Sequence, residues 1–126
     1  MKANSYPSIE KLKRKSDIDL LFKKGKWISV DQIRIIYINS TEIDSHKIGV
    51  SVSKKYFKKA VERNRIKRLL RESYRLNKCL YKEAFGDQSL AMLFWVSKEL
   101  PEHFSTVESQ FLKLCSKKNP SSSVNL

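Results

Sequence analysis

The chain has 126 residues, enough for one domain with a modest hydrophobic core. Its 26 lysines and arginines against 13 acids give a formal net charge of +13 at pH 7, which favours a polyanion such as nucleic acid as partner. The longest apolar run, residues 90–96, is much shorter than the roughly 20 residues that span a bilayer. The first residues lack the apolar core of a secretory signal. The sequence therefore argues against a membrane or exported protein.

The first third of the chain predicts an arm, a helix and two strands. Residues 1–8 lack periodicity and are expected to form a flexible arm. A short helix is predicted to begin with Ser16 as its N-cap and to stop at Gly25. Residues 33–39 are β-branched and aromatic, as strands usually are, and a shorter strand is predicted before them at residues 27–30.

Residues 47–53 alternate between apolar and small side chains. The two sets are Ile48, Val50 and Val52, and Gly49, Ser51 and Ser53. Alternation at period 2 is typical of a strand with one buried face. Because the second face carries only small residues, we expect open space above it.

The remaining part of the chain predicts helix, strand and helix. A long helix is predicted over residues 60–80, and its apolar face would consist of Ile66, Leu69, Leu70, Ser73, Leu76 and Leu80. The continuous apolar run of residues 90–96 is expected of a strand covered on both faces. A last helix is predicted with Ser105 and Glu108 as its capping box, followed by a flexible tail at residues 119–126.

This order of elements, α-β-β-β-α-β-α, predicts the α+β class. We expect one domain at residues 9–118, an α/β sandwich in which helices pack against a small mixed sheet.

The excess positive charge is concentrated in residues 54–82, where twelve lysines and arginines accompany two acids, for a local net charge of +10. On the predicted helix, Lys67, Arg71 and Arg75 stack like charges one turn apart, which destabilises an isolated helix. Arginine predominates there, and its planar fork can bind phosphate with two hydrogen bonds. These features favour a nucleic-acid contact over a merely solvated helix face.

The sequence offers little for enzymatic chemistry of its own. It has no glycine-rich phosphate loop, nucleophile elbow or paired carboxylates, and neither His46 nor His103 has neighbours at metal-ligand spacing. We therefore expect both histidines to be surface residues, and no catalytic residue or metal ligand in the protein. Cys79 and Cys115 are predicted to be small apolar residues on helix faces, in keeping with a reducing cytoplasm.

Two segments together resemble the protein component of bacterial ribonuclease P. These are residues 49–55 and residues 60–72, and the second contains the family signature Arg63, Asn64, Arg65, Ile66, Lys67 and Arg68. The resemblance extends over about residues 9–118. It implies an α-β sandwich with a left-handed β-α-β crossover through the arginine-rich helix, whereas the general rule for parallel strands predicts a right-handed crossover.

The resemblance also implies a function, that of the RNA-binding subunit of the ribonucleoprotein endonuclease that removes the 5′ leader from precursor tRNA. In this family the RNA subunit is the ribozyme and carries the catalytic Mg2+, so we expect no cofactor on the protein. The implied partners are that RNA subunit and the leader, with no membrane and no DNA. Contacts with the ribozyme RNA and the cleavage region would come from Arg63, Asn64, Arg65, Lys67, Arg68, Arg71 and Arg75.

The resemblance places a leader-binding cleft between the sheet and the arginine-rich helix. Its floor would carry the rings of Phe22 and Tyr37. Its rim would be formed by Ser51, Ser53, Lys54 and Lys55.

Two alternatives remain open at this point. A ribosomal or other RNA-packing protein could use the same basic helix without a processing role, and would co-purify with ribosomal subunits rather than with one structured RNA. A DNA-binding protein is less favoured, because neither a helix-turn-helix pair nor a heptad zipper accompanies the basic helix.

Overall fold

The structure is a computed structural model that describes residues 10–43 and 46–118. Within these residues it has four helices and four strands: α1 (Lys15–Lys24), β1 (Lys26–Val30), β2 (Ile33–Asn39), β3 (Lys47–Val52), α2 (Ala60–Leu76), α3 (Lys78–Phe85), β4 (Ser89–Trp95) and α4 (Phe104–Lys118). The arm predicted at residues 1–8 and the tail predicted at residues 119–126 lie outside the described residues. Among the helices described, none combines the length and the apolar character needed to cross a membrane.

The four strands form one mixed sheet in the order β1-β2-β4-β3. β2 pairs antiparallel with both β1 and β4, whereas β3 pairs parallel with β4. Because parallel neighbours need a crossover connection, the chain from β3 to β4 passes through α2 and α3. The predicted α+β class and order of elements are confirmed, while the left hand of the crossover stays a prediction.

Alternation along β4 divides the hydrophobic core between the two faces of the sheet. Ala91, Leu93 and Trp95 belong to the main core, which is completed by residues of α2, α3 and α4. Leu90 and Phe94 belong to a smaller core on the other face, covered by α1 and the segment before it. This two-sided burial explains the continuous apolar run of β4. Phe94 is only partly buried, so the smaller core leaves one part of its face open.

The long helix predicted over residues 60–80 is interrupted at Asn77, which separates α2 from α3. Asn77 has φ −127° and ψ 35°, outside the helical range, and its side-chain amide donates to the Ser73 carbonyl at 2.8 Å. The prediction that Leu76 and Leu80 belong to the buried face is wrong. Both are exposed, and Tyr74 is buried in the main core instead, because the break ends the regular stripe.

Neither predicted N-terminal cap residue occupies the cap position of its helix. α1 begins at Lys15 and α4 at Phe104, so Ser16 and Ser105 lie inside the first turns rather than at the caps. Sequence signals fix helix ends only to within one or two residues. The predicted stop at Gly25 is confirmed, since its backbone N–H donates to the Leu21 carbonyl at 2.7 Å.

A buried polar network ties the segment before α1 to the crossover helices. The Tyr74 hydroxyl donates to Glu10, and the same oxygen lies 2.6 Å from His46 Nε2. Because a hydroxyl has one proton, His46 must donate from Nε2 in this pair. Glu10 also binds Lys78 at 2.8 Å. The prediction that His46 is a surface residue is therefore wrong, since it is 5% exposed and holds this network together.

Burial and charge act in opposite directions on the two titrating groups of this network. Burial lowers the pKa of His46 below its usual 6.5 and outweighs the Glu10 carboxylate 3.9 Å away, which would raise it. Burial alone would raise the pKa of Glu10, but hydrogen bonds from Lys78 and Tyr74 outweigh it and lower the pKa. At neutral pH the network therefore contains a neutral imidazole and a charged carboxylate.

Candidate nucleic-acid interface

α2 presents a basic side to solvent, opposite the side that it buries. Five of the predicted contact residues, all exposed or partly exposed, lie on this side: Asn64, Lys67, Arg68, Arg71 and Arg75. Within the described residues, only Arg75 of these has a carboxylate partner, Glu72 at 2.7 Å, and this hydrogen bond lowers the pKa of Glu72. Lys67, Arg68 and Arg71 have no carboxylate partner among the residues that the structure describes, as expected of a surface that binds a polyanion.

The two arginines at the borders of this side bind the backbone of neighbouring loops. Arg63 donates from Nη1 to two carbonyls of the loop before α2, at 2.7 and 2.9 Å. Arg65 donates to the carbonyls of Pro101 at 2.6 Å and Glu102 at 3.2 Å, in the loop before α4. The first and third residues of the signature therefore hold two loops against α2, and their charge adds to the field around the helix.

A cluster of three partly exposed rings lies on the sheet face that α1 covers. Phe22 of α1, Trp27 of β1 and Phe94 of β4 form a triangle with ring centroids 5.4–6.3 Å apart. Phe22 is 47% exposed and Trp27 is 43% exposed. Rings that support one another and still face solvent are suited to stacking with unpaired bases.

The register of the sheet adds two polar side chains to this cluster. Arg34 of β2 and Ser51 of β3 both lie opposite Phe94, so the three form one row across the sheet. The Arg34 guanidinium carbon is 4.2 Å from the centroid of the Trp27 ring. Within the described residues Arg34 has no carboxylate partner, and its Nε is buried without a hydrogen-bond partner. We refer to Phe22, Trp27, Arg34, Ser51 and Phe94 as the open face.

Tyr37 lies on the other side of the sheet from Phe22. Side chains alternate along β2, so Tyr37 packs against the main core, with its ring 5.2 Å from that of Phe85, while Ile36 points to the core under α1. The predicted floor shared by Phe22 and Tyr37 is therefore wrong. An offset of one residue along a strand moves a side chain to the opposite face.

Trp27, Arg34 and Phe94 were not predicted as site residues. Each is an unremarkable strand residue in the sequence, and only the pairing of β2 with β1 and β4 brings them together. The only sequence signal that could have indicated them is alternation, which places Arg34 and Phe94 on the side away from the main core.

A groove of about 380 Å³ runs beside the edge strand β3, between α2 and the segment before α1. Three basic residues and an apolar floor line it: Lys11, Lys13 and Arg71, with Leu12, Gly49, Val50 and Met92. Val50 precedes Ser51 in β3, so the groove adjoins the open face. The resemblance placed the leader-binding cleft between the sheet and the arginine-rich helix, beside this groove, and that cleft stays a prediction.

The loop after β3 carries the other predicted rim residues. The Ser53 hydroxyl accepts the Lys55 N–H at 3.0 Å, and the Ser53 carbonyl accepts the Phe57 N–H at 3.2 Å, which closes a turn. Lys54 and Lys55 are exposed. Since β3 ends beside Phe94 and its neighbour in β4, these two lysines extend the positive charge at that end of the open face.

The fold and these surfaces define a class, a small α+β protein with a basic helix beside an aromatic patch, which are features typical of RNA-binding proteins. A sequence model of the Ribonuclease P family matches residues 6–119. The ribonuclease P protein component of Porphyromonas gingivalis is 38% identical over 112 residues, which cover 82% of this chain and 79% of the relative.

Solved structures show the same fold. The RNase P protein of Thermotoga maritima has a TM-score of 0.69 and 26% identity, covering 86% of this chain and 96% of that protein. The RNase P protein of Staphylococcus aureus has a TM-score of 0.71 and 24% identity, covering 87% and 95%. The chain belongs to the ribonuclease P protein family. It is thus a protein subunit of the endoribonuclease that processes the 5′ end of tRNA, and the ribosomal alternative finds no support.

Proposed function

We propose that this chain binds the 5′ leader of precursor tRNA along the open face, while the basic side of α2 contacts the RNA subunit. The observation that carries the proposal is the triangle of Phe22, Trp27 and Phe94 beside the Arg34 cation, which has no carboxylate partner in the described part of the chain. A single-stranded leader offers unpaired bases and one phosphate per nucleotide. The rings suit the bases and the guanidinium suits a phosphate, so the open face fits a single strand better than a duplex.

The basic side of α2 suits a structured RNA. The buried side of α2 is fixed in the main core. Lys67, Arg68 and Arg71 therefore hold their charges at the regular spacing of a helix on a rigid scaffold. The groove at β3 joins this side to the open face, and Arg71 lines it. One RNA assembly can therefore contact both surfaces at once.

The contribution of the protein to the reaction is binding and charge neutralisation. The leader and the RNA subunit are both polyanions and repel each other. Lysine and arginine neutralise phosphate charge and so reduce this repulsion, and the release of condensed counterions favours their binding. We expect Mg2+ held by the RNA subunit to carry out hydrolysis, with the protein lowering the concentration of Mg2+ that assembly requires. The cytoplasm, where precursor tRNA is made, is the expected location.

Trp27 allows the leader site to be tested directly. The chain has two tryptophans, and Trp95 is 1% exposed with its Nε1 bonded to the Glu99 carbonyl at 2.9 Å, so it serves as an internal reference. Adding leader-bearing precursor tRNA to the assembled holoenzyme should quench Trp27 fluorescence, whereas leaderless tRNA should not. Equal fluorescence changes with both substrates would contradict the placement of the leader.

Replacing Phe22 by alanine should weaken binding of the leader-bearing substrate only. Loss of one stacked base costs about 1–3 kcal/mol, or roughly a 5- to 150-fold rise in Kd. Leu80→Ala is the matched control, because Leu80 is a similarly exposed apolar residue (42%) on α3, outside the ring cluster. If Phe22→Ala weakened leaderless and leader-bearing tRNA equally, the ring would not belong to a leader site.

A further inference from the structure

A second basic pocket surrounds Tyr37, at the end of the sheet where β1 begins and β2 ends. It is a cavity of about 230 Å³ lined by Lys24, Lys26, Tyr37, Ile38, Asn39 and Lys118. Lys26 lies directly opposite Tyr37 in the β1–β2 ladder. Lys118, at the end of α4, places its Nζ 5.4 Å from the centroid of the Tyr37 ring. Lysines from α1, β1 and α4 thus converge on one concave site.

These three lysines lack the partners that other lysines of the same region have. None of them has a carboxylate within ion-pair distance among residues 10–43 and 46–118. By contrast, Lys113 and Lys117 of α4 bind the Asp31 carboxylate and the Ser29 carbonyl. Like charges around a concavity repel one another, and a bound anion would remove that repulsion.

We propose that this pocket binds a backbone phosphate of an RNA segment other than the one on the open face. Lys24, Lys26 and Lys118 supply the charge. Tyr37 acts as a positioning residue, because its ring holds the Lys118 ammonium through a cation–π contact. The cavity is smaller than the roughly 300–1,000 Å³ of pockets that enclose a small molecule, so the phosphate of a passing strand fits it better than a free nucleotide does.

The pocket and the open face lie on opposite faces of the sheet, so one short RNA segment is not expected to fill both. Tyr37 is three residues from Arg34 along β2, about 10 Å at 3.4 Å per residue, and points to the opposite face of the sheet. We therefore expect binding in the pocket not to depend on the leader. It would add a contact with another part of the RNA assembly.

The salt dependence of binding tests the charge of the pocket. We would titrate the full chain with a short oligouridylate at several salt concentrations, comparing wild type with Lys26→Gln/Lys118→Gln. Loss of one phosphate contact should make the slope of log K against log [salt] shallower by about 0.7. The control Lys98→Gln/Lys113→Gln removes the same charge from exposed sites outside the pocket. A slope for the pocket variant equal to that of the control would overturn the proposal.

The nature of the ligand is tested by NMR of the Tyr37 ring. Inorganic phosphate, uridine monophosphate and oligouridylate would be added to the wild-type chain at equal phosphate concentration. We expect the ring signals to shift most with oligouridylate. Equal or larger shifts with phosphate or with the mononucleotide would show a small-anion site and overturn the assignment to RNA, as would the absence of any shift.

Tyr37→Leu tests the positioning role, since it keeps all three lysines and removes only the ring. We expect weaker oligouridylate binding with an unchanged salt slope, because no charge is lost. Unchanged affinity would show that Tyr37 does not position Lys118.

Discussion

Arg65 gives the sharpest test of how the signature works, because the structure assigns it to the backbone as well as to the charged surface. Its guanidinium donates to the Pro101 carbonyl at 2.6 Å and to the Glu102 carbonyl at 3.2 Å. Arg65→Lys keeps the positive charge and removes the planar guanidinium that donates both hydrogen bonds. A hydrogen bond from a charged donor contributes about 1.5–3 kcal/mol, and a lysine can recover at most part of it. We therefore expect the free energy of unfolding to fall by about 1–2 kcal/mol.

Urea unfolding followed by far-UV circular dichroism measures this change. Arg68→Lys is the matched control, since Arg68 is exposed on the same helix and has no carbonyl or carboxylate bond among the described residues, so its effect should stay within about 0.5 kcal/mol. The salt slope of RNA-subunit binding should be unchanged in both variants, because neither loses charge. If Arg65→Lys left stability unchanged and weakened only RNA binding, the backbone role inferred for Arg65 would be refuted.

Three further predictions concern the buried groups. Tyr74→Phe removes the hydroxyl between Glu10 and His46 and should lower the free energy of unfolding by about 2–3 kcal/mol in urea titrations; a change below 0.5 kcal/mol would contradict the network. Folding lowers the pKa of His46, so the neutral imidazole contributes to the free energy of unfolding. This contribution should be fully present above pH 6.5 and should be lost as pH falls from 6.5 towards the lowered pKa. His46→Gln should flatten that slope between pH 5 and 7, above the range in which Glu10 titrates, and an unchanged slope would exclude His46 as its source. Burial raises the pKa of the Cys115 thiol to about 12, so a thiol reagent should label only Cys79 in the native protein, and rapid labelling of both would show that Cys115 is accessible.

The sequence was sufficient for the architecture because local patterns and global fold agree. The alternation of residues 47–53, the apolar run of β4 and the amphipathic stripe around Ile66 and Leu70 each correspond to the element predicted from them. The interruption at Asn77 could not be read from the same periodicity. It depends on a side-chain hydrogen bond to Ser73 that competes with the helix backbone, and a lone asparagine is tolerated in many helices.

The candidate site was only half predictable from sequence. Local charge identifies the basic side of α2, because helix geometry alone places those residues together. The open face depends on strand register, and Arg34, Phe94 and Ser51 become neighbours only through the pairing of three strands. Tyr37 shows the consequence of a one-residue error in such a register, since it lies on the other face. The burial of His46 likewise depends on tertiary contacts with Tyr74 and has no local signal.

Reconstitution tests the central claim most directly. The chain would be mixed with a bacterial ribonuclease P RNA at a low Mg2+ concentration, and removal of the 5′ leader from precursor tRNA would be followed with and without the protein. We predict cleavage that requires the chain under these conditions and that loses its preference for leader-bearing substrate in Phe22→Ala. Cleavage at the same rate in the absence of the chain would contradict the account.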